Sequence, residues 1–273
     1  MLQWSAALLA GSLAVTAGYL YWQDEAHQPV VERLRIPVKH LDPALENFTI
    51  AFLSDFHLYP FTKTDVIRQV ITLTNGLNPD VILLGGDYVT HQADAIFELA
   101  PLLAQLDAKL GLFAILGNHD IWTNIEVIKT GLSEAGLPIL VNQGLTLTKN
   151  GARLNLAGLD DAWSGRPDLS AALANLPTNA PTILLAHEPD PADLYARAGR
   201  VNLHLAGHSH GGQIRLPAIG ALILPYLGQK YDRGLYRVDD MWLYTSRGIG
   251  NVVEPVRYNC PPEVTAITLV NNL

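Results

Sequence analysis

Short apolar runs alternate with polar turns through most of the chain. The runs at 48–53, 81–84, 112–116, 182–186 and 201–206 are apolar at most positions, as strands buried on both faces are. Between the first two, Val66, Ile67, Val70, Ile71 and Leu77 fall at helical spacing over 64–77, and Asn78-Pro79-Asp80 stops that helix. Residues 93–106 and 121–135 repeat the helical pattern. The second half is richer in strands, expected at 138–141, 145–147, 154–159, 182–186, 201–206, 213–216, 234–238, 242–245 and 264–270. This order predicts two sheets packed face to face with helices outside, rather than one parallel sheet.

At the amino end, residues 2–22 carry no charged side chain, enough for one bilayer span of about 20 residues. Trp4 sits near one end of the run and Tyr19, Tyr21 and Trp22 at the other, like an interfacial aromatic belt. The expected organisation is a membrane anchor over 1–22, a linker around Pro29 over 23–34, and a catalytic domain over 35–273. A cleaved signal segment is the alternative for 1–22, because Val15-Thr16-Ala17 has the small residues of a cleavage site. No Lys or Arg precedes the span, while Arg33, Arg35 and Lys39 follow it. That count predicts an inner-membrane protein with its catalytic domain in the cytoplasm; an exported domain is the alternative.

Composition narrows the function. Half of the 273 residues are apolar (49%), ample for a sizeable core. A net charge of −8 without any Lys/Arg-rich stretch excludes a nucleic-acid partner. Cys260 is the single cysteine, so no intrachain disulfide forms, and a small buried side chain is expected there.

Each buried run ends in a polar block: Asp55-Phe56-His57, Gly85-Gly86-Asp87, Gly117-Asn118-His119-Asp120, His187, and Gly207-His208-Ser209-His210-Gly211-Gly212. Open α/β sheets carry their chemistry beyond the carboxyl ends of strands. Taken singly, each block reads as a turn. Together, Asp55, His57, Asp87, Asn118, His187, His208 and His210 form a donor set for Mn²⁺, Fe²⁺ or Zn²⁺ rather than Ca²⁺, which prefers oxygen alone. The set exceeds the needs of one tetrahedral ion, so two divalent ions sharing a carboxylate are expected, with Mn²⁺ first and Fe or Zn as alternatives. Water between two such ions ionises near neutral pH, and no serine or cysteine nucleophile is required. His27, His40, His91 and His204 match no block and are read as non-ligands.

The five blocks, in this order, resemble the calcineurin-like metallophosphoesterases, whose pattern reads D-x-H, G-D, G-N-H-[DE], H and G-H-x-H. The resemblance implies a four-layer α/β/β/α sandwich. It also implies one ion on Asp55, His57, Asp87 and His210, and a second on Asp87, Asn118, His187 and His208. His119 would stand over the phosphoryl group to stabilise charge or protonate the leaving oxygen, and Asp120 would orient its imidazole.

Residues 158–169 and 246–250, with Cys260-Pro261-Pro262-Glu263 downstream, are similar to a bacterial branch of that family whose members carry an N-terminal export or membrane segment. Some members hydrolyse the pyrophosphate of UDP-2,3-diacylglucosamine in lipid A synthesis. Asp160, Arg166, Lys230, Arg233 and Arg247 are the candidate substrate contacts. The apolar stretch 217–227, read either as a buried strand or as a lip beside the site, would suit an amphiphilic, lipid-linked phosphate. The expected activity is hydrolysis of a phosphoanhydride or phosphodiester. The alternatives are a soluble nucleotide or phosphomonoester as substrate and, from another class, a non-catalytic scaffold, which the complete ligand blocks and His119 argue against.

Overall fold

A computed structural model describes residues 28–252 and 254–271, together with Gly11 and Gly18. The hydrophobic helix expected over 2–22 otherwise lies outside the described residues. Among the described residues no helix is long and apolar enough to cross a membrane.

Eleven of the strands make two sheets. The first has the order β1 (Val30–Val38), β13 (Glu263–Asn271), β2 (Phe48–Leu53), β3 (Val81–Leu84), β4 (Leu112–Ala114). The second runs β11 (Gly234–Val238), β12 (Met241–Thr245), β8 (Leu203–Ala206), β7 (Thr182–Leu185), β6 (Ala152–Gly158), β5 (Gln143–Lys149). β2, β3 and β4 are parallel, as are β6, β7, β8 and β12. The parallel run brings their carboxyl ends to one edge.

Three apolar clusters define four layers. On the outer face of the first sheet, Ala51, Leu53, Ile82 and Leu84 pack under α1 (Thr64–Gly76), α2 (Ile96–Leu103) and α3 (Asn118–Glu134). Between the sheets, Ile50, Phe52, Val81 and Leu83 meet Leu154, Leu156, Ile183, Leu185, Leu203 and Leu205. On the outer face of the second sheet, Ala157, Leu184 and Leu243 meet Leu173 of α4 (Leu169–Leu173) and Tyr195 of α5 (Ala192–Arg197). Successive strand residues point to opposite faces, so Phe52 and Leu83 face the other sheet while Leu53 and Leu84 face helices. This is why the short strands are apolar throughout.

The sequence reading departs from the structure at three places. β1 starts at Val30, inside the stretch assigned to the linker, and pairs in register with β13 from Val30↔Glu263 to Val38↔Asn271. It is an edge strand whose outward positions include Arg33 and Arg35, so its pattern is polar. The strand expected at 138–141 is a single bridge, Ala114↔Ile139; Pro138 has no N–H to continue a ladder. The helix expected from 121 begins at Asn118, so the third polar block forms its first turn. Cys260 is buried, as expected.

Candidate metal centre

The polar blocks emerge from the carboxyl ends of β2, β3, β4, β7 and β8, and the fold gathers them into one buried cluster. Asp55, His57, His187 and His208 are each at most 4% exposed, as are Asp87 and Asn118, and His210 is 6% exposed. The backbone there is forced. Asp55, His57, Asp87, His208 and His210 all have positive φ, from 44° to 69°. Left-handed backbone costs about 1–2 kcal/mol per non-glycine residue, and such outliers concentrate where function over-determines them. Gly117 leaves room for the cluster: a Cβ there would lie 2.3 Å from Asp87 Oδ1 and 2.8 Å from His187 Cε1.

Among the described residues, ligand-type atoms converge in three groups: Asp55, His57 and His210; His57, Asp87 and His119; and Asp87, His187 and His208. Asp87 joins them, its Oδ2 lying 3.4 Å from His57 Nε2 and 3.1 Å from His187 Nε2. Asp55 Oδ1 is 3.5 Å from His210 Nε2 and 3.9 Å from His187 Nε2. His57 and His210 bring their Nε2 atoms to 3.0 Å, a separation that a proton or cation between them accommodates.

The remaining hydrogen bonds prepare the imidazoles. His187 Nδ1 lies 2.7 Å from the Gly85 carbonyl, and His208 Nε2 lies 2.7 Å from the Tyr226 carbonyl. Each ring donates there and turns its other nitrogen into the cluster, where His187 Nε2 lies 3.1 Å from Asp87 Oδ2. Asp55 Oδ2 and Asn118 Oδ1 are buried without hydrogen-bond partners. Buried polar groups are rarely left so unless something else satisfies them.

The electrostatics agree. Burial pushes the His57 imidazole down to about 3 and lowers His208 and His210, keeping all three neutral. Burial pushes the Asp55 carboxyl up to about 6. Burial also acts to raise Asp87, but His187 outweighs it and holds Asp87 well below the usual carboxylate range. Burial acts to lower His187, but Asp87 and Asp55 outweigh it and hold that imidazole well above its ordinary value, so His187 shares its proton with Asp87 until a cation displaces it. Three neutral imidazoles, buried carboxylates and an unpaired amide oxygen suit divalent cations of the borderline class.

His119 stands beside this cluster. Its main-chain N–H donates to Asp87 Oδ1 at 2.9 Å, and its Nδ1 lies 3.2 Å from the Thr90 carbonyl. Asp120 does not orient this imidazole, contrary to the expectation. Its carboxylate accepts three main-chain N–H groups, from Gly117, Asp87 and Tyr88, each at 2.9 Å. Asp120 therefore binds the third block to the second. At the third position of α3 it reaches back to the Gly117 N–H, as acidic residues at helix starts do.

The candidate substrate contacts are largely engaged by the protein itself. Both Asp160 oxygens accept main-chain N–H groups, from Asp161 and Arg166. Lys230 pairs with Asp193 at 2.6 Å, and Arg233 donates to the Asn259 carbonyl. Arg247 pairs with Glu263 at 2.6 Å and Glu32 at 3.2 Å, tying β1 to β13 beneath the site. These hydrogen bonds and ion pairs, invisible in the sequence, give Asp160 and Arg247 a structural role within the protein. The 217–227 stretch is an exposed lip and not a buried strand: Ile219 is 72% and Ile223 80% exposed. Its short hairpin, β9 (Arg215–Leu216) with β10 (Gly220–Ala221), folds back over Gly212, where a Cβ would lie 2.3 Å from that of Ala221. Three aromatic residues at the mouth, Trp122, Trp163 and Tyr226, were missed; they come from segments far apart in the chain.

Residues 48–212 match the calcineurin-like phosphoesterase family model. The chain belongs to that family. It is a metal-dependent phosphoesterase. The Escherichia coli (strain K12) phosphodiesterase YaeI is 36% identical over 230 residues, covering 82% of this chain and 82% of that protein. The Bacillus subtilis (strain 168) metallophosphoesterase YkuE is 35% identical over 273 residues, covering 96% of this chain and 93% of its own. Among solved structures, Haemophilus influenzae NAD nucleotidase superposes with a TM-score of 0.52 over 75% of this chain and 46% of that one, at 14% identity. That likeness concerns the fold alone.

Proposed function

We propose that this phosphoesterase hydrolyses phosphodiesters or phosphoanhydrides with two divalent ions. One would be held by Asp55, His57, Asp87 and His210, the other by Asp87, Asn118, His187 and His208. The observation that carries the reading is that Asp87 belongs to two ligand groups, one with His57 and His119 and one with His187 and His208, with Asn118 Oδ1 buried and unpartnered. When bound, such a pair neutralises phosphoryl charge and makes water nucleophilic near neutral pH. The chain supplies the rest. Asp87 holds its own cluster and the His119 main chain together. With Nδ1 committed to Thr90, His119 has Nε2 left to protonate or polarise the departing oxygen. Asp120 fixes the loop carrying Asn118 against the loop carrying Asp87.

Mn²⁺ is the metal proposed first. The proposed substrate is an amphiphilic phosphate, with the anhydride of UDP-2,3-diacylglucosamine as one form of it. The proposed site of action is the cytoplasmic face of a membrane, reached through residues 2–22; this part rests on the sequence. The test is turnover of purified protein with Mn²⁺, Fe²⁺ or Zn²⁺ on three substrates: that lipid-linked anhydride, bis(4-nitrophenyl) phosphate as a diester, and 4-nitrophenyl phosphate as a monoester. Faster hydrolysis of diester or anhydride supports the proposal; a monoester preference, or equal rates in EDTA, would overturn it.

A further inference from the structure

The mouth of the metal centre is walled by aromatic rings that no step above uses. Trp122 lies against His119 with ring centres 5.0 Å apart and meets Trp163 edge-on at 4.7 Å. Trp163 in turn contacts His208 at 5.7 Å and Tyr226 at 5.5 Å. All three face solvent, at 50%, 38% and 60% exposure for Trp122, Trp163 and Tyr226. The apolar surface then continues into the hairpin, where Ile219, Leu222 and Ile223 are 52–80% exposed.

The wall is held in place. Trp122 Nε1 donates to Ser164 Oγ at 2.7 Å. The Trp163 main-chain N–H donates to Asp161 at 3.1 Å and Glu188 at 3.2 Å, and Glu188 directly follows His187. The Tyr226 carbonyl accepts from His208. Trp122 is thus fixed by its indole N–H and the other two by their main chain, and large aromatic groups so anchored offer apolar area at little entropic cost. Of the cations around them, Lys230 pairs with Asp193 and Arg215 with Asp232, both at 2.6 Å, and Arg233 donates to the Asn259 carbonyl. The surface at the mouth is therefore formed largely by apolar groups, and exposed apolar patches of this kind mark binding sites.

We infer that Trp122, Trp163 and Tyr226, extended by Leu222 and Ile223, form the subsite for a hydrocarbon group carried by the substrate phosphoester. The rings take the segment nearest phosphorus; the aliphatic hairpin takes the distal segment. This inference rests on the phosphoesterase reading and adds the determinant of its specificity.

The test compares methyl phosphate, n-octyl phosphate and adenosine 5′-monophosphate as inhibitors of Mn²⁺-dependent bis(4-nitrophenyl) phosphate hydrolysis. Wild-type protein is expected to bind the octyl ester about 30-fold more tightly than the methyl ester, since each buried methylene favours binding. Trp122→Ala and Trp163→Ala should bring that ratio to about 3 or below. Ile223→Ser, on a side chain 80% exposed and so safe for folding, should lower it partway. Phe97→Ala, on α2 at the far side of the first sheet, should leave it unchanged. A wild-type ratio near 1, a ratio that survives Trp122→Ala, Trp163→Ala and Ile223→Ser alike, or a larger gain for the nucleotide than for the octyl ester would overturn the inference. Absence of reporter hydrolysis would overturn the phosphoesterase reading and the subsite with it, whereas hydrolysis with a flat ratio overturns the subsite alone.

Discussion

Replacing Asp120 by alanine tests whether its carboxylate is structural. The substitution strands three buried main-chain N–H groups, those of Gly117, Asp87 and Tyr88, each now bonded at 2.9 Å. An unsatisfied buried donor costs about 1–3 kcal/mol, which gives roughly 3–9 kcal/mol for three. Removing the carboxylate also relieves burial of a charge that desolvation and Asp87 push up to about 7. That relief places the net loss at the lower end, about 3–4 kcal/mol. Urea unfolding of metal-free protein in EDTA, followed by tryptophan fluorescence, measures it without the metals' own contribution. Asp120→Asn, which keeps one acceptor oxygen, should fall between wild type and alanine. Had Asp120 served only to orient His119, both variants would keep their stability and lose turnover. A loss below about 1 kcal/mol for Asp120→Ala would refute the structural role.

Three further outcomes follow from the same geometry. Gly117→Ala should weaken Mn²⁺ binding at least about tenfold by isothermal titration, because its Cβ would fall 2.3 Å from Asp87 Oδ1; wild-type affinity would contradict the crowding. His119→Ala should keep its metals but lower turnover by about 10²–10⁴ on substrates with poor leaving groups. The loss should shrink for activated aryl esters, and equal losses on both would remove the leaving-group role. Burial, then Glu188, pushes the Asp161 carboxyl up to about 9. A raised acid contributes stability that is full below its unfolded value near 4 and is lost as pH rises through about 9. The wild-type urea midpoint should therefore fall, relative to Asp161→Asn, between pH 5 and pH 9; parallel profiles would show that Asp161 does not hold the proton.

The metal blocks were legible because two signals coincide at each: an apolar run short enough to be a buried strand, and ligand chemistry at its end. Asp55 and His57 after β2, or Asp87 after β3, need only the strand direction to be placed. The resemblance placed Asp120 against the His119 ring, whereas its carboxylate accepts main-chain N–H groups instead. On the first turn of a helix, consecutive side chains diverge, and the third residue turns back to the cap. The start of β1 was hidden because an edge strand shows its polar face to solvent. Arg247 and Lys230 were offered to substrate because sequence does not show that Glu263 and Asp193 stand beside them. The aromatic wall is a tertiary feature, assembled from the first turns of α3, the loop after β6 and the hairpin beyond β8, with no local pattern to announce it.

In the proposed mechanism Asp87 joins two metal sites into one catalytic centre. Metal content and turnover measured together, for wild-type and Asp87→Ala protein reconstituted with Mn²⁺ and freed of excess ion, test this. Two ions per wild-type chain are expected, clearly fewer in the variant, and loss of diester hydrolysis with them. Two tightly held ions and wild-type turnover in Asp87→Ala would contradict that mechanism.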